Sequence, residues 1–147
     1  MQKQQYTYPS GTTIRNLIYN SLQRQQHILS LVSNQDNLPP WVLMLVSRAT
    51  NDLNTVDEFV NYYYNIEKIS NTLNGFEDNF INHIKNQHST GQMIRSLLMA
   101  SHFRQTNILS IVKDQMDVPA WIVYKVSKAT GDLNSVDEFL TSYYLGV

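Results

Sequence analysis

No cysteine occurs in the 147 residues, which excludes disulfides, thiol catalysis and any cysteine-containing metal site. Glycine is also scarce. The 5 glycines stand singly, so no glycine-rich loop is available to cradle a nucleotide. Charged residues make up 16% of the chain, against roughly 25% in an average soluble domain. The 11 Lys+Arg nearly balance 12 Asp+Glu, leaving a formal net charge of -1. Nucleic-acid binding needs a basic face that displaces condensed counterions, and an anionic membrane surface needs a polybasic segment; the composition argues against both. The longest apolar run is Trp41 to Val46, far short of the roughly 20 residues of a membrane helix. Met1 to Ser10 is polar and lacks the apolar centre of a secretory signal. The expected location is therefore a cytoplasm, or a particle assembled there. The length fits one ordinary domain or two small ones, enough to bury a core without metals or cross-links.

What the chain does have is an internal repeat. Gly11 aligns with Gly91, and the offset of 80 residues holds without a gap to Glu67 and Val147, with about half the aligned pairs identical. The organisation read from this is a polar arm over 1–10, a first repeat over 11–67, a linker over 68–90 and a second repeat over 91–147. Ile14, Ile18, Ser21, Gln25, Ile28 and Val32 recur at alternating spacings of three and four, which is helical periodicity. The second repeat matches them with Ile94, Leu98, Ser101, Gln105, Ile108 and Val112. After a polar turn, Pro39 or Pro119 opens a second helix. Its stripe is Val42, Val46, Ala49, Leu53, Val56, Val60 and Tyr63, matched by Ile122, Val126, Ala129, Leu133, Val136, Leu140 and Tyr143. Such seams favour shallow helix crossings. Helices of about 33 Å and about 37 Å joined by a short turn predict an antiparallel hairpin in each repeat. The fold class expected is all-α: two tandem helical hairpins packed as a four-helix-type bundle. Phe76, Phe80, Ile81 and Ile84 predict a short linking helix, and Thr90 is a candidate cap for the helix after it.

The candidate site residues are aromatic. Trp41 and Trp121, the two tryptophans, stand in the first turn of equivalent helices. They read either as plugs closing the hairpin turns or as anchors for a partner groove. Tyr62, Tyr63 and Tyr64 cluster at a helix end and are echoed by Tyr143 and Tyr144. Adjacent helix positions face different ways, so one tyrosine per repeat serves the core and the others are free for a partner; Tyr62, Tyr64 and Tyr144 are the partner-binding candidates. No basic residues interleave with them, which argues against stacking on nucleic-acid bases. Asp52, Asp57 and Glu58 recur as Asp132, Asp137 and Glu138. No histidine accompanies them in both repeats, so they read as a solvated face or as partners of Arg15/Arg95 and Arg24/Arg104 rather than as catalytic acids. Gln25 and Gln105 lie on the seam, either buried to fix register or wet at its rim. His27, His83, His88 and His102 have no repeat counterparts, and their spacing suits no metal site. No catalytic, cofactor-binding or metal-binding residue is expected.

The stretch from Val118 to Val136, VPAWIVYKVSKATGDLNSV, resembles a short helical module of tailed bacteriophages, especially cyanophages and other marine phages. That module's pattern is Leu-Pro-x-Trp-Val, then Lys, an aliphatic residue, Ser or Thr, Lys-Ala, Asp and Ser-Val. The first repeat departs from it at Leu45 and Arg48, where the pattern has lysines. The resemblance covers about 40 residues of each repeat and implies a phage origin without enzymatic activity; it carries no functional residues across. The expected function is a non-enzymatic virion structural or accessory protein, in several copies. It would dock on head, neck or tail proteins to reinforce or bridge subunits. The alternative is a soluble phage-encoded adaptor or inhibitor that binds a host protein. An enzyme or nucleic-acid binder is the third and weakest reading, since no catalytic constellation accompanies a charge near zero.

Overall fold

The computed structural model describes residues 9–64 and 89–147, and these form four α-helices. They are α1 (Ser10–Leu31), α2 (Pro40–Tyr64), α3 (Thr90–Ile111) and α4 (Ala120–Leu145). No strand occurs among the described residues. The linking helix expected around Phe76 to Ile84 and most of the polar arm lie outside the described residues. The arm's last residue, Ser10, is already helical.

The stripes read from the sequence are the buried ones. Ile14, Ile18, Ile28, Val42, Val46, Leu53, Val56 and Val60 are fully buried, as are Ile94, Leu98, Ile108, Ile122, Val126, Val136 and Leu140. Tyr63 and Tyr143 depart from their stripes and are exposed, because each stands a turn beyond the last aliphatic layer; their neighbours Tyr64 and Tyr144 lean against the core instead.

The helix partners differ from the hairpin expectation. α1 packs on α3 and α4, and α2 packs on α3 and α4; among the described residues the two helices of one repeat make no close backbone approach to each other. Hydrogen bonds give the directions. Ser10, Leu17 and Arg24 of α1 meet Val118, Thr130 and Asp137 in order, so α1 and α4 run parallel. Leu38 and Asp57 meet Thr90 and Arg104 in the same sense, so α2 and α3 run parallel. Helices of one repeat thus occupy opposite corners. The connection over 32–39 makes this feasible: eight residues of extended chain reach about 26 Å, whereas the diagonal between helices packed about 10 Å apart is only about 14 Å. Val32 and Val112 are both extended where the helices end. Leu38 and Val118, at 5% and 7% exposure, close the two ends of the core.

Each connection is also a docking seat for a helix start. The Gly11 N–H donates to the Met116 carbonyl at 2.8 Å, and the Gly91 N–H donates to the Asp36 carbonyl at 2.9 Å. A Cβ on Gly11 would stand 2.0 Å from the Lys113 carbonyl oxygen, and one on Gly91 would stand 2.3 Å from that of Ser33. Glycine is the residue that permits this approach. The helix cap at this point is Ser89, whose Oγ accepts from the Gln92 N–H at 3.0 Å, rather than Thr90. Thr90 Oγ1 instead accepts from the Leu38 N–H. Arg15 Nη1 donates to the Leu109 and Val112 carbonyls, and Arg95 Nη1 donates to those of Leu29 and Val32, all at 2.7 Å. These are end-of-helix carbonyls that the helix itself cannot satisfy, and a cation suits the negative pole there. Arg15 and Arg95 therefore serve helix ends and not the recurring carboxylates.

Candidate functional site

Two aromatic clusters form at opposite ends of the α2–α4 pair. Trp41 meets Phe139 edge-on with ring centroids 4.8 Å apart, and Phe139 stacks on Tyr143 at 5.5 Å. At the other end Trp121 meets Phe59 edge-on at 5.1 Å, and Phe59 lies 4.5 Å from Tyr63. Offset and edge-on aromatic pairs of this kind add to the area they bury. The tryptophans do not plug the connections, a role taken by Leu38 and Val118. Trp41 is 39% exposed and Trp121 is 44% exposed. The residues that follow them, Val42 and Ile122, are fully buried, while the two indoles rest against Phe139 and Phe59 at the bundle surface.

The tyrosine candidates separate. Tyr62 is 80% exposed and makes its ring contact with Tyr63. Tyr64 is half-buried against Phe59. Tyr144 is half-buried, and its hydroxyl donates to Asp36 Oδ2 in the connection over 32–39. Tyr144 is thus committed inside the fold, and the outward residues of the two clusters are Trp41 and Tyr143, and Trp121, Tyr62 and Tyr63.

The Tyr144–Asp36 bond has a pH consequence. The Ser33 backbone N–H and the Tyr144 hydroxyl hold the Asp36 carboxyl below its ordinary range, and burial with the Asp36 charge pushes the Tyr144 phenol up. A lowered carboxyl stabilises the fold above the unfolded-state value of about 3.9, and this contribution fades as pH falls through the lower folded-state value. Tyr144→Phe is expected to lower stability modestly at neutral pH, to narrow that loss as pH falls through the folded-state value, and to move the acid unfolding midpoint to slightly higher pH. Acid titrations followed by circular dichroism would read it; coincident acid limbs would remove the bond from the account.

Of the recurring carboxylates, Glu58 and Glu138 are exposed, whereas the four aspartates are buried and face cations. Asp57 is fully buried and Asp137 nearly so. Arg104 Nη1 donates to Asp57 Oδ2 at 2.5 Å, and Arg24 Nη1 donates to Asp137 Oδ2 at 2.8 Å. Burial pushes the Asp57 carboxyl up, opposed by hydrogen bonds from Asn107 and Arg104. Asp132 takes two bonds from Arg48 at 3.0 and 2.8 Å, and Asp52 faces Lys125 at 3.5 Å and Lys128 at 3.7 Å. Gln25 and Gln105 are buried where α1 crosses α3. The Gln105 amide donates to Gln25 Oε1, which also accepts from Ser101 Oγ at 2.7 Å. The buried-amide alternative is the one realised.

One contact has no echo. His27 Nδ1 lies 2.5 Å from Asp137 Oδ1, where the equivalent contact to Asp57 comes from Asn107. The repeat marks the place: Arg24 and Arg104 are shared, and three residues on the two copies part as His27 and Asn107. His83 and His88 lie outside the described residues. No group of three metal-ligating side chains occurs among the described residues, and none of the described helices is long and apolar enough to cross a membrane. Comparison with protein-family models, with curated proteins and with solved structures finds no match.

Proposed function

We propose that the chain is the single-chain equivalent of a two-fold dimer and works without catalysis, as a bridge between two equivalent sites of a protein assembly. The observation that carries this reading is the pair of matched clusters, Trp41–Phe139–Tyr143 and Trp121–Phe59–Tyr63. Trp41 and Phe59 mark opposite ends of α2 and stand about 27 Å apart along it at 1.5 Å per residue. Exposed tryptophan and tyrosine are the side chains that most often anchor protein interfaces.

The recurring bonds support the two-fold reading. Gly11 with Met116 answers Gly91 with Asp36, and Arg24 with Asp137 answers Arg104 with Asp57. Each patch of one repeat meets the matching patch of the other, as in an isologous interface. A duplication that preserved such an interface would yield this four-helix bundle, with each helix held by the opposite copy. Two linked contacts gain effective concentration, so a partner that offers the same site twice is held about a hundredfold or more tighter than by one.

The resemblance to tailed-phage modules supplies the setting: a virion accessory protein docked on head, neck or tail subunits. Particles of the encoding phage are expected to contain the chain in fixed ratio to the major capsid protein, measured by quantitative mass spectrometry. Trp41→Ala or Trp121→Ala alone should lower that occupancy. Absence from particles with abundance in the lysate would overturn the virion placement and favour the soluble adaptor that binds a host protein.

A further inference from the structure

The two buried carboxylates sit in matched frames that differ in access. Around Asp57 the ion pair is sealed, with the Arg104 side chain 4% exposed. Around Asp137 it opens, with the Arg24 side chain 39% exposed and that of His27 43% exposed. A cavity of about 280 Å³ lies there, lined by Asn20, Gln23, Arg24, His27, Asp137 and Thr141. The equivalent positions of the sealed frame hold Ala100, Phe103, Arg104, Asn107, Asp57 and Asn61. Arginine and aspartate are kept. Alanine and phenylalanine give way to two amides, and an asparagine gives way to an imidazole. The structural task of the carboxylate is met in the sealed frame without histidine, so the fold itself does not require His27 or the open polar lining.

We propose that this cavity binds a compact oxyanion, a phosphate or phosphate monoester, between Arg24 and His27. Asp137 accepts from Arg24 Nη1 at 2.8 Å and meets His27 Nδ1 at 2.5 Å, each on its own carboxylate oxygen. Both side chains are thereby oriented from beneath. A guanidinium has five N–H donors, so the bond through Nη1 leaves others for a ligand. An imidazolium whose Nδ1–H points to a carboxylate presents its Nε2–H outward. The Asn20 and Gln23 amides and the Thr141 hydroxyl line the same cavity and add neutral donors, which suits a tetrahedral anion with several acceptor oxygens. The volume is near the lower end for small-ligand sites and leaves room for a small ester group beyond the anion.

The test is a titration of the full chain with inorganic phosphate at about pH 6, where imidazoles as a class carry charge, read by imidazole nitrogen–proton NMR. Acetate and chloride are the control anions and glycerol phosphate is the ester probe. Saturable movement of the His27 ring signals, with those of His102 unmoved, is the expected result. His27→Asn and Gln23→Phe each install the residue of the sealed frame. Both should retain the parent's circular dichroism and, in isothermal titration calorimetry with phosphate alongside the parent, lose at least about tenfold in affinity, as expected when a charge-assisted donor is removed or the space is filled. Tighter binding of glycerol phosphate than of inorganic phosphate would identify the monoester as ligand, and the reverse would identify the free anion. Equal responses to phosphate, acetate and chloride would overturn the proposal, as would unchanged affinity in His27→Asn. Should Gln23→Phe fail to fold, His27→Asn alone decides.

Discussion

Arg104→Met is expected to cost about 3–5 kcal/mol of stability, the usual result of stranding a fully buried charge. Asp57 has no exposure, and the Arg104 side chain beside it is 4% exposed, so water cannot replace the lost partner. Asn61 and Asn107 still donate to the carboxylate, but neither brings a positive charge. A domain of this size has only about 5–15 kcal/mol in total, so the variant would be marginal. The matched change Arg24→Met should cost less, about 1–3 kcal/mol, because that site is open to water and Asp137 keeps His27. The double variant Asp57→Leu/Arg104→Met should recover most of the loss, since an apolar pair of similar volume carries no desolvation cost.

The pH dependence has a definite sign. Burial already raises the Asp57 carboxyl, and loss of Arg104 raises it further. The native state then holds a proton that the unfolded state has released, so the variant's stability falls as pH rises from about 5 to about 8. Urea unfolding midpoints at the two pH values measure both effects. An Arg104→Met protein within about 1 kcal/mol of the parent would remove the buried pair from the account of stability.

The second large effect belongs to glycine. Gly11→Ala and Gly91→Ala are each expected to cost about 2–3 kcal/mol, the range for forcing a methyl into filled space. The obstacles are backbone carbonyls of Lys113 and Ser33, which cannot swing aside as a side-chain tip would. Relief requires the helix start to back away, which breaks the 2.8 or 2.9 Å bond to the opposite connection. Gly131→Ala is the control. Nothing lies within 4 Å of its added carbon, and alanine in a helix interior should add about 1 kcal/mol. Thermal melts of the three variants should therefore move in opposite directions. A Gly91→Ala protein as stable as the parent would show that the seat yields.

The stripes were legible in the sequence because burial of aliphatic side chains follows helical spacing, whichever helices supply the opposite wall. Ile14 and Ile94 needed no knowledge of their neighbours to be read as core. The identity of the neighbours was not legible. A connection of eight residues suits an adjacent helix as well as a diagonal one, and the choice rests on contacts such as Gly91 to Asp36 that join positions 55 residues apart. Whether the recurring aspartates are solvated or paired with Arg24 and Arg104 was not legible for the same reason. Asp57 looks solvated on its own helix, and its burial is permitted only because Arg104 arrives from α3. Trp41 and Trp121 are candidates by type and position, but their exposure depends on how much of each indole Phe139 and Phe59 cover. His27 was passed over because it lacks a counterpart, although that mismatch beside a shared arginine was itself the signal.

The diagonal arrangement also bears on how the chain is made. Translation delivers α1 and α2 first, and these two do not pack against each other. The apolar stripe of α1, from Ile14 to Ile28, has no wall to close on until α3 and α4 have left the ribosome. A nascent chain carrying only the first repeat therefore presents two sticky amphipathic helices to its surroundings for as long as the second repeat takes to appear, a natural substrate for a holding chaperone.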